Sequence, residues 1–178
     1  MCIRDRSEEA SRFAIERLGL DIRRQPAEDA LISPASFDAA VMFDTIEHLF
    51  QPRAVLQAVA NALTPDGILA VSTPNFDAAS RFLLGPPWAV LSPLEHVYYF
   101  TEDSLRRLLL ASGFREVTFV RRHAMWGPME TMNYRYTHAP GVWRARVAEI
   151  LVKSGGMPLA RALQTIGRQD ALLCFASR

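Results

Sequence analysis

Between Phe37 and Asn75 the spacing of apolar residues changes twice. Phe37–Phe43 is short, almost continuously apolar and ends in the polar Asp44. Ile68–Ser72 is a second run of the same kind. Between them, Ala54, Val55, Ala58, Val59, Ala62 and Leu63 recur at the spacing of one helix face. The pattern predicts strand, crossover helix, strand, as in a parallel sheet whose strands are covered on both faces. Thr64-Pro65-Asp66-Gly67 reads as the turn into the second strand, since proline presets φ and glycine tolerates a positive value.

The flanking segments are read the same way. Ser7 is placed to cap a helix with Glu8 and Glu9 in its first turn; Ala10, Phe13, Ala14 and Leu18 form its apolar stripe and Gly19 its stop. Asp21–Gln25 is a weak strand and Pro26–Ser36 a loop. Thr45–Leu49 suits a helical turn, and Phe76–Leu84 a short helix ended by Gly85-Pro86-Pro87. Trp88–Phe100 is irregular and rich in aromatics. Thr101 caps a helix with Leu105, Leu108 and Leu109 facing inward, and Gly113 ends it. Phe114–His123 alternates like a half-exposed strand, Met125–Ala139 is irregular, two helices follow from Pro140, and Ala171–Ala176 is a last strand.

Composition narrows the classes. At 178 residues, 49% hydrophobic and 22% charged, the chain suits one α/β domain with a real core. A net charge of +1 and scattered arginine pairs leave no basic stripe for nucleic acid. Cys2 and Cys174 lie at opposite ends, so neither a disulfide framework nor a zinc site is predicted. No apolar run approaches the ~20 residues of a membrane span, and no secretory signal opens the chain; a cytoplasmic setting is expected.

Several motifs in order carry a resemblance: Phe37-Asp38, Asp44-Thr45-Ile46-Glu47-His48, Leu63-Thr64-Pro65-Asp66-Gly67, Thr73-Pro74-Asn75, then Glu95-His96-Val97-Tyr98-Tyr99-Phe100-Thr101 and Gly113-Phe114. Together they resemble class I S-adenosylmethionine-dependent methyltransferases of the ubiquinone-biosynthesis O-methyltransferase subgroup, over roughly residues 7–122 and less securely the last strand. The resemblance implies a Rossmann-like, mostly parallel sheet with an antiparallel last strand, Ala171–Ala176, inserted between Ile68–Ser72 and Phe114–His123. It also implies that this chain lacks the family's first strands and glycine-rich turn, with residues 1–6 foreign to the fold, 7–123 the core portion and 124–178 the C-terminal helices and last strand. No glycine pair here forms G-x-G after a strand, so S-adenosylmethionine is expected to bind weakly or not at all.

Ligands in open α/β sheets lie beyond the carboxyl ends of the strands, which here carry Asp44, Glu47 and His48, then Ser72, Thr73 and Asn75. Read from the residues alone, the first set is equally a cap with solvated charges. The resemblance implies that Phe43, Asp44 and Glu47 face the cofactor, S-adenosylmethionine, with Ala27, Glu28 and Asp29 near its adenine. It points His48 toward a small-molecule acceptor as the base that takes a hydroxyl proton. His96, Tyr99 and Trp88 are candidate acceptor contacts; the plainer reading packs His96 against Tyr98 and Tyr99, and the aromatics in the core. The four histidines show no short ligand spacing, so no metal is expected. The function expected is methyl transfer to a small molecule at oxygen in the complete parent protein, with this chain by itself inactive. The alternative is a non-catalytic relative of the same fold that binds a partner. Loss of the strand beside Phe37–Phe43 would leave an apolar edge and promote self-association.

Overall fold

The computed structural model describes residues 3–4, 8–23, 33–84, 88, 90–121 and 165–178. Strands β1 (Ile3–Arg4) and β2 (Ile22–Arg23) flank helix α1 (Glu8–Leu18) and pair in parallel as a two-stranded sheet. The main sheet holds β3 (Phe37–Phe43), β4 (Leu63–Pro74), β5 (Glu116–Phe119) and β6 (Ala171–Ser177), in the order β3-β4-β6-β5. Helices α2 (Pro52–Ala62), α3 (Ala79–Leu84) and α4 (Glu102–Ala111) complete the described elements.

β3 and β4 are parallel and joined through α2, as the change of period predicts. β6 runs antiparallel to both β4 and β5 and lies between them, which the resemblance implied. The expected boundary at Ile68 is too late. β4 begins at Leu63, opposite Phe37, and the register shifts before Ala39 meets Ile68, so Thr64–Gly67 is an irregularity within a strand. Gly67 serves close approach here and not a positive φ: a Cβ at that position would lie 2.9 Å from the Leu63 Cβ and 3.0 Å from the Thr64 carbonyl oxygen.

One face of the sheet is the core. Met42, Leu69, Val71, Leu172, Cys174, Val117 and Phe119 meet Val55 and Leu56 of α2 and Leu105 and Leu109 of α4. Much of the expected stripe on α2 is found, with Val55, Ala62 and Leu63 buried and Val59 packed against the core. Pro52, Val55, Leu56 and Ala60 turn inward, a better i, i+3, i+4 set, while Ala54 is exposed. α4 starts as expected, with a reciprocal cap in which the Ser104 N–H donates to Thr101 Oγ1 (3.2 Å) and the Thr101 N–H to Ser104 Oγ (2.9 Å).

The opposite face is open. Val41 is 64% exposed, and Phe43, Ile68 and Phe175 share its exposed side of the sheet. β3 is an edge strand among the described residues, and the exposure of Val41 and Phe43 leaves one of its faces uncovered, unlike the two covered faces that its apolar run suggests. Of the elements beyond His123 in the sequence reading, only the last strand and residues 165–170 before it lie inside the described residues.

Candidate functional site

The carboxyl ends of β3 and β4 lie side by side, because the two strands are parallel and in register to Phe43 and Ser72. The chain leaves β3 through Asp44, whose φ of 44° is left-handed and unusual for a residue with a side chain. Ser72 holds it there. The Asp44 N–H donates to the Ser72 carbonyl oxygen (3.0 Å) and to Ser72 Oγ (3.2 Å), and the Ser72 hydroxyl donates to Asp44 Oδ1 (3.1 Å). Ile46, fully buried, then pins a single 3-10 turn, Ile46–His48, to the core.

Glu47 is 1% exposed, which a sequence reading does not foresee for a carboxylate in a turn. Its Oε2 accepts from the Thr73 hydroxyl at 2.9 Å. Its carbonyl oxygen accepts the N–H groups of Val97 (2.8 Å) and Tyr98 (3.1 Å), so this one residue ties the 95–98 segment down over the rim. Burial pushes the carboxyl above its ordinary range; hydrogen bonds from the backbone and from Thr73 offset this only in part.

His48 Nδ1 lies 2.7 Å from the Glu95 carbonyl oxygen, and His96 Nδ1 lies 3.0 Å from that of Val90. A carbonyl only accepts, so each Nδ1 carries the proton and, in the neutral ring, each Nε2 keeps a lone pair. The two rings meet edge to face at 4.8 Å between centroids. His48 Nε2 sits 4.0 Å from Glu47 Oε1. Tyr99 extends the cluster, 5.8 Å from the His96 ring and 5.3 Å from Phe76.

Glu47, His48 and His96 each offer one ligand atom, and these atoms lie within 4.8 Å of one another. Two imidazoles whose other nitrogen is fixed by a carbonyl, plus one carboxylate oxygen, form a donor set that fits a divalent cation. The lack of short ligand spacing along the chain predicts no metal; the fold instead brings His96 back over the rim from a distant loop.

The other expected residues divide. Phe43 is exposed on the open face and Asp44 stands at the rim. Trp88 is fully buried in a small satellite cluster with Ala78, Phe76, Val90 and Leu91, so it packs and does not line the rim. Ala27, Glu28 and Asp29 lie outside the described residues. The sequence reading overlooked a groove of about 580 Å³ beside the site, whose walls include Phe50, Pro52, Arg53, Tyr98, Phe100 and Leu108.

Comparison with known proteins bears on the family and the fold. The methyltransferase-domain family matches residues 3–118. A ubiquinone biosynthesis O-methyltransferase of Xylella fastidiosa is 42% identical over 101 residues, covering 54% of this chain and 40% of that protein. The chain therefore spans well under half the length of this curated relative. Among solved structures, a SAM-dependent methyltransferase of Thermotoga maritima, a possible histamine N-methyltransferase, superposes with a TM-score of 0.63 at 17% identity; the match covers 99% of this chain and 72% of that one. The 1,6-didemethyltoxoflavin-N1-methyltransferase of Burkholderia thailandensis, solved with S-adenosylhomocysteine bound, gives 0.54 at 16% identity, covering 99% and 60%. At such identities these structures establish the fold alone. With the family match spanning more than half of its length, the chain belongs to the methyltransferase-domain family.

Proposed function

We propose that this chain takes part in methyl transfer from S-adenosylmethionine to a small-molecule acceptor at oxygen, in the cytosol. The observation that carries the reading is the rim itself: His48 Nε2 with no fixed donor among the described residues, on a ring locked through Nδ1 to the Glu95 carbonyl oxygen. Methyl transfer from a sulfonium needs nucleophile, methyl carbon and sulfur in line, and little else. A base beside the acceptor hydroxyl takes its proton as the oxygen–carbon bond forms. Phe43 and Asp44 would meet the cofactor, and His96 and Tyr99 the acceptor. Were a divalent cation held by Glu47, His48 and His96 instead, His48 would be a ligand and not the base, and the cation would polarise the acceptor hydroxyl and favour its alkoxide or phenolate. The kinship with ubiquinone-biosynthesis O-methyltransferases supports oxygen as the atom methylated.

The second reading, a non-catalytic relative that binds a partner, is favoured by one observation: the sequence contains no G-x-G turn after a strand. Calorimetric titration of S-adenosylmethionine separates the two. Weak but saturable binding, weakened further by Asp44→Ala, is the result expected. No heat at millimolar cofactor selects the second reading.

Self-association through β3 is also proposed. Val41 and Phe43 are exposed on a strand that is an edge among the described residues and carries no lysine or proline to discourage pairing. Sedimentation velocity should show concentration-dependent association, reduced by Val41→Lys. A chain monomeric across the whole concentration range would remove this proposal.

A further inference from the structure

The two rim acids are each gripped by one of two consecutive hydroxyls. Ser72 donates to Asp44 Oδ1 at 3.1 Å and Thr73 donates to Glu47 Oε2 at 2.9 Å. Neighbouring strand residues point to opposite faces of a sheet. Ser72 shares the open face with Phe43, its register partner on β3, whereas Thr73 shares the core face with Val71. One strand end thus reaches both sides of the rim at once. Both hydroxyl residues are fully buried, so neither is placed to bind a ligand itself.

We propose that Ser72 and Thr73 are positioning residues that set the two acids independently: Ser72 aligns Asp44 on the cofactor side, and Thr73 aligns Glu47 beneath the 95–98 segment. The assignment of the cofactor side rests on the functional reading above. Two features make the control local. Asp44 occupies a left-handed backbone conformation that persists only where surrounding contacts over-determine it, and Ser72 supplies three such contacts. Glu47 uses its carboxylate on Thr73 and its carbonyl on Val97 and Tyr98, so a loosened carboxylate loosens the 95–98 segment with it. A buried hydroxyl donating to an ionised carboxylate is among the stronger hydrogen bonds, and its loss is felt about tenfold in an equilibrium.

The test compares Ser72→Ala with Thr73→Val, alongside the conservative Ser72→Thr and Thr73→Ser, in the full chain. Thr73→Val is expected to speed amide exchange at Val97 and Tyr98 about tenfold and leave the Asp44 carboxyl ¹³C resonance in place. Ser72→Ala is expected to shift that resonance, leave Val97 and Tyr98 unchanged, and weaken S-adenosylhomocysteine binding about tenfold, against less than twofold for Thr73→Val. The conservative variants should restore both patterns. If both truncations disturb both acids equally, in step with a fall in melting temperature, the hydroxyls are ordinary core contributors and the proposal is overturned. If the unmutated chain binds no S-adenosylhomocysteine, the functional reading fails, while exchange and carboxyl resonances still decide the positioning claim. Should the truncations not fold, loss of either local signature in the conservative variants overturns it.

Discussion

Substituting His48 by asparagine is expected to slow methyl transfer by roughly 10²- to 10⁴-fold, the range over which a positioned base contributes. Asparagine is chosen because its amide can still donate to the Glu95 carbonyl oxygen, now held at 2.7 Å by His48 Nδ1, so the 95–98 segment stays seated. What disappears is the lone pair on Nε2. Transfer of a labelled methyl group to a phenolic acceptor, at saturating S-adenosylmethionine, measures the rate; the melting temperature should not move. Chelation of divalent cations adds a second arm. If chelation of the unmutated chain reproduces the loss, the imidazole works as a ligand; if the rate survives chelation, it works as a base. A His48→Asn variant that transfers methyl groups at the original rate would remove His48 from the chemistry.

Glu47→Gln is expected to make the protein more stable at pH 7–8, by on the order of 1 kcal/mol, or roughly 2–4 °C in melting temperature for a chain of this size. Burial raises the carboxyl's pKa in the folded state above the value of 4.5 that it has in the open chain. Between those two values the folded state holds the proton more tightly than the unfolded one. Stability therefore falls as pH rises through that window, and the full cost remains at every higher pH. Glutamine keeps the acceptor for the Thr73 hydroxyl and carries no charge, so its advantage should shrink on acidification toward pH 4.5. Glu47→Ala should do the reverse, leaving the buried Thr73 hydroxyl unpartnered. Thermal unfolding of the three proteins from pH 4 to 8 measures all of this. A glutamine variant less stable than the parent at pH 8 would show that the carboxylate is not a burden.

The central βαβ unit is legible from residue spacing because burial in a parallel sheet imposes a pattern that local composition cannot hide. Its edges are less so. Ala54 and Val55 look alike to a periodicity argument, yet only Val55 is buried, because Pro52 at the first turn sets where the helix face begins. β4 starts at Leu63, since the Thr64–Gly67 irregularity resembles a turn in sequence and only pairing with Phe37 reveals it as strand. The place of β6 between β4 and β5 came from family likeness alone, as no spacing encodes strand order. At the rim, Asp44 and His48 stand out as polar residues after a strand. The burial of Glu47 does not, because it depends on Thr73, and the closeness of His96 depends on Glu47 holding the 95–98 segment. Trp88 misled for the opposite reason: an aromatic in a loop looks available for stacking, but this one fills a satellite core.

That β6 pairs with both β4 and β5 has a consequence for biosynthesis. Among the described residues β5 pairs with the rest of the four-stranded sheet only through β6, so these strands cannot zip together until Ala171–Ser177 has emerged from the ribosome. Nascent chains halted before that point would present β4 with an apolar flank and β5 with no partner, a species prone to chaperone capture. Assembly must then bridge distant stretches of polypeptide in a late, slow step.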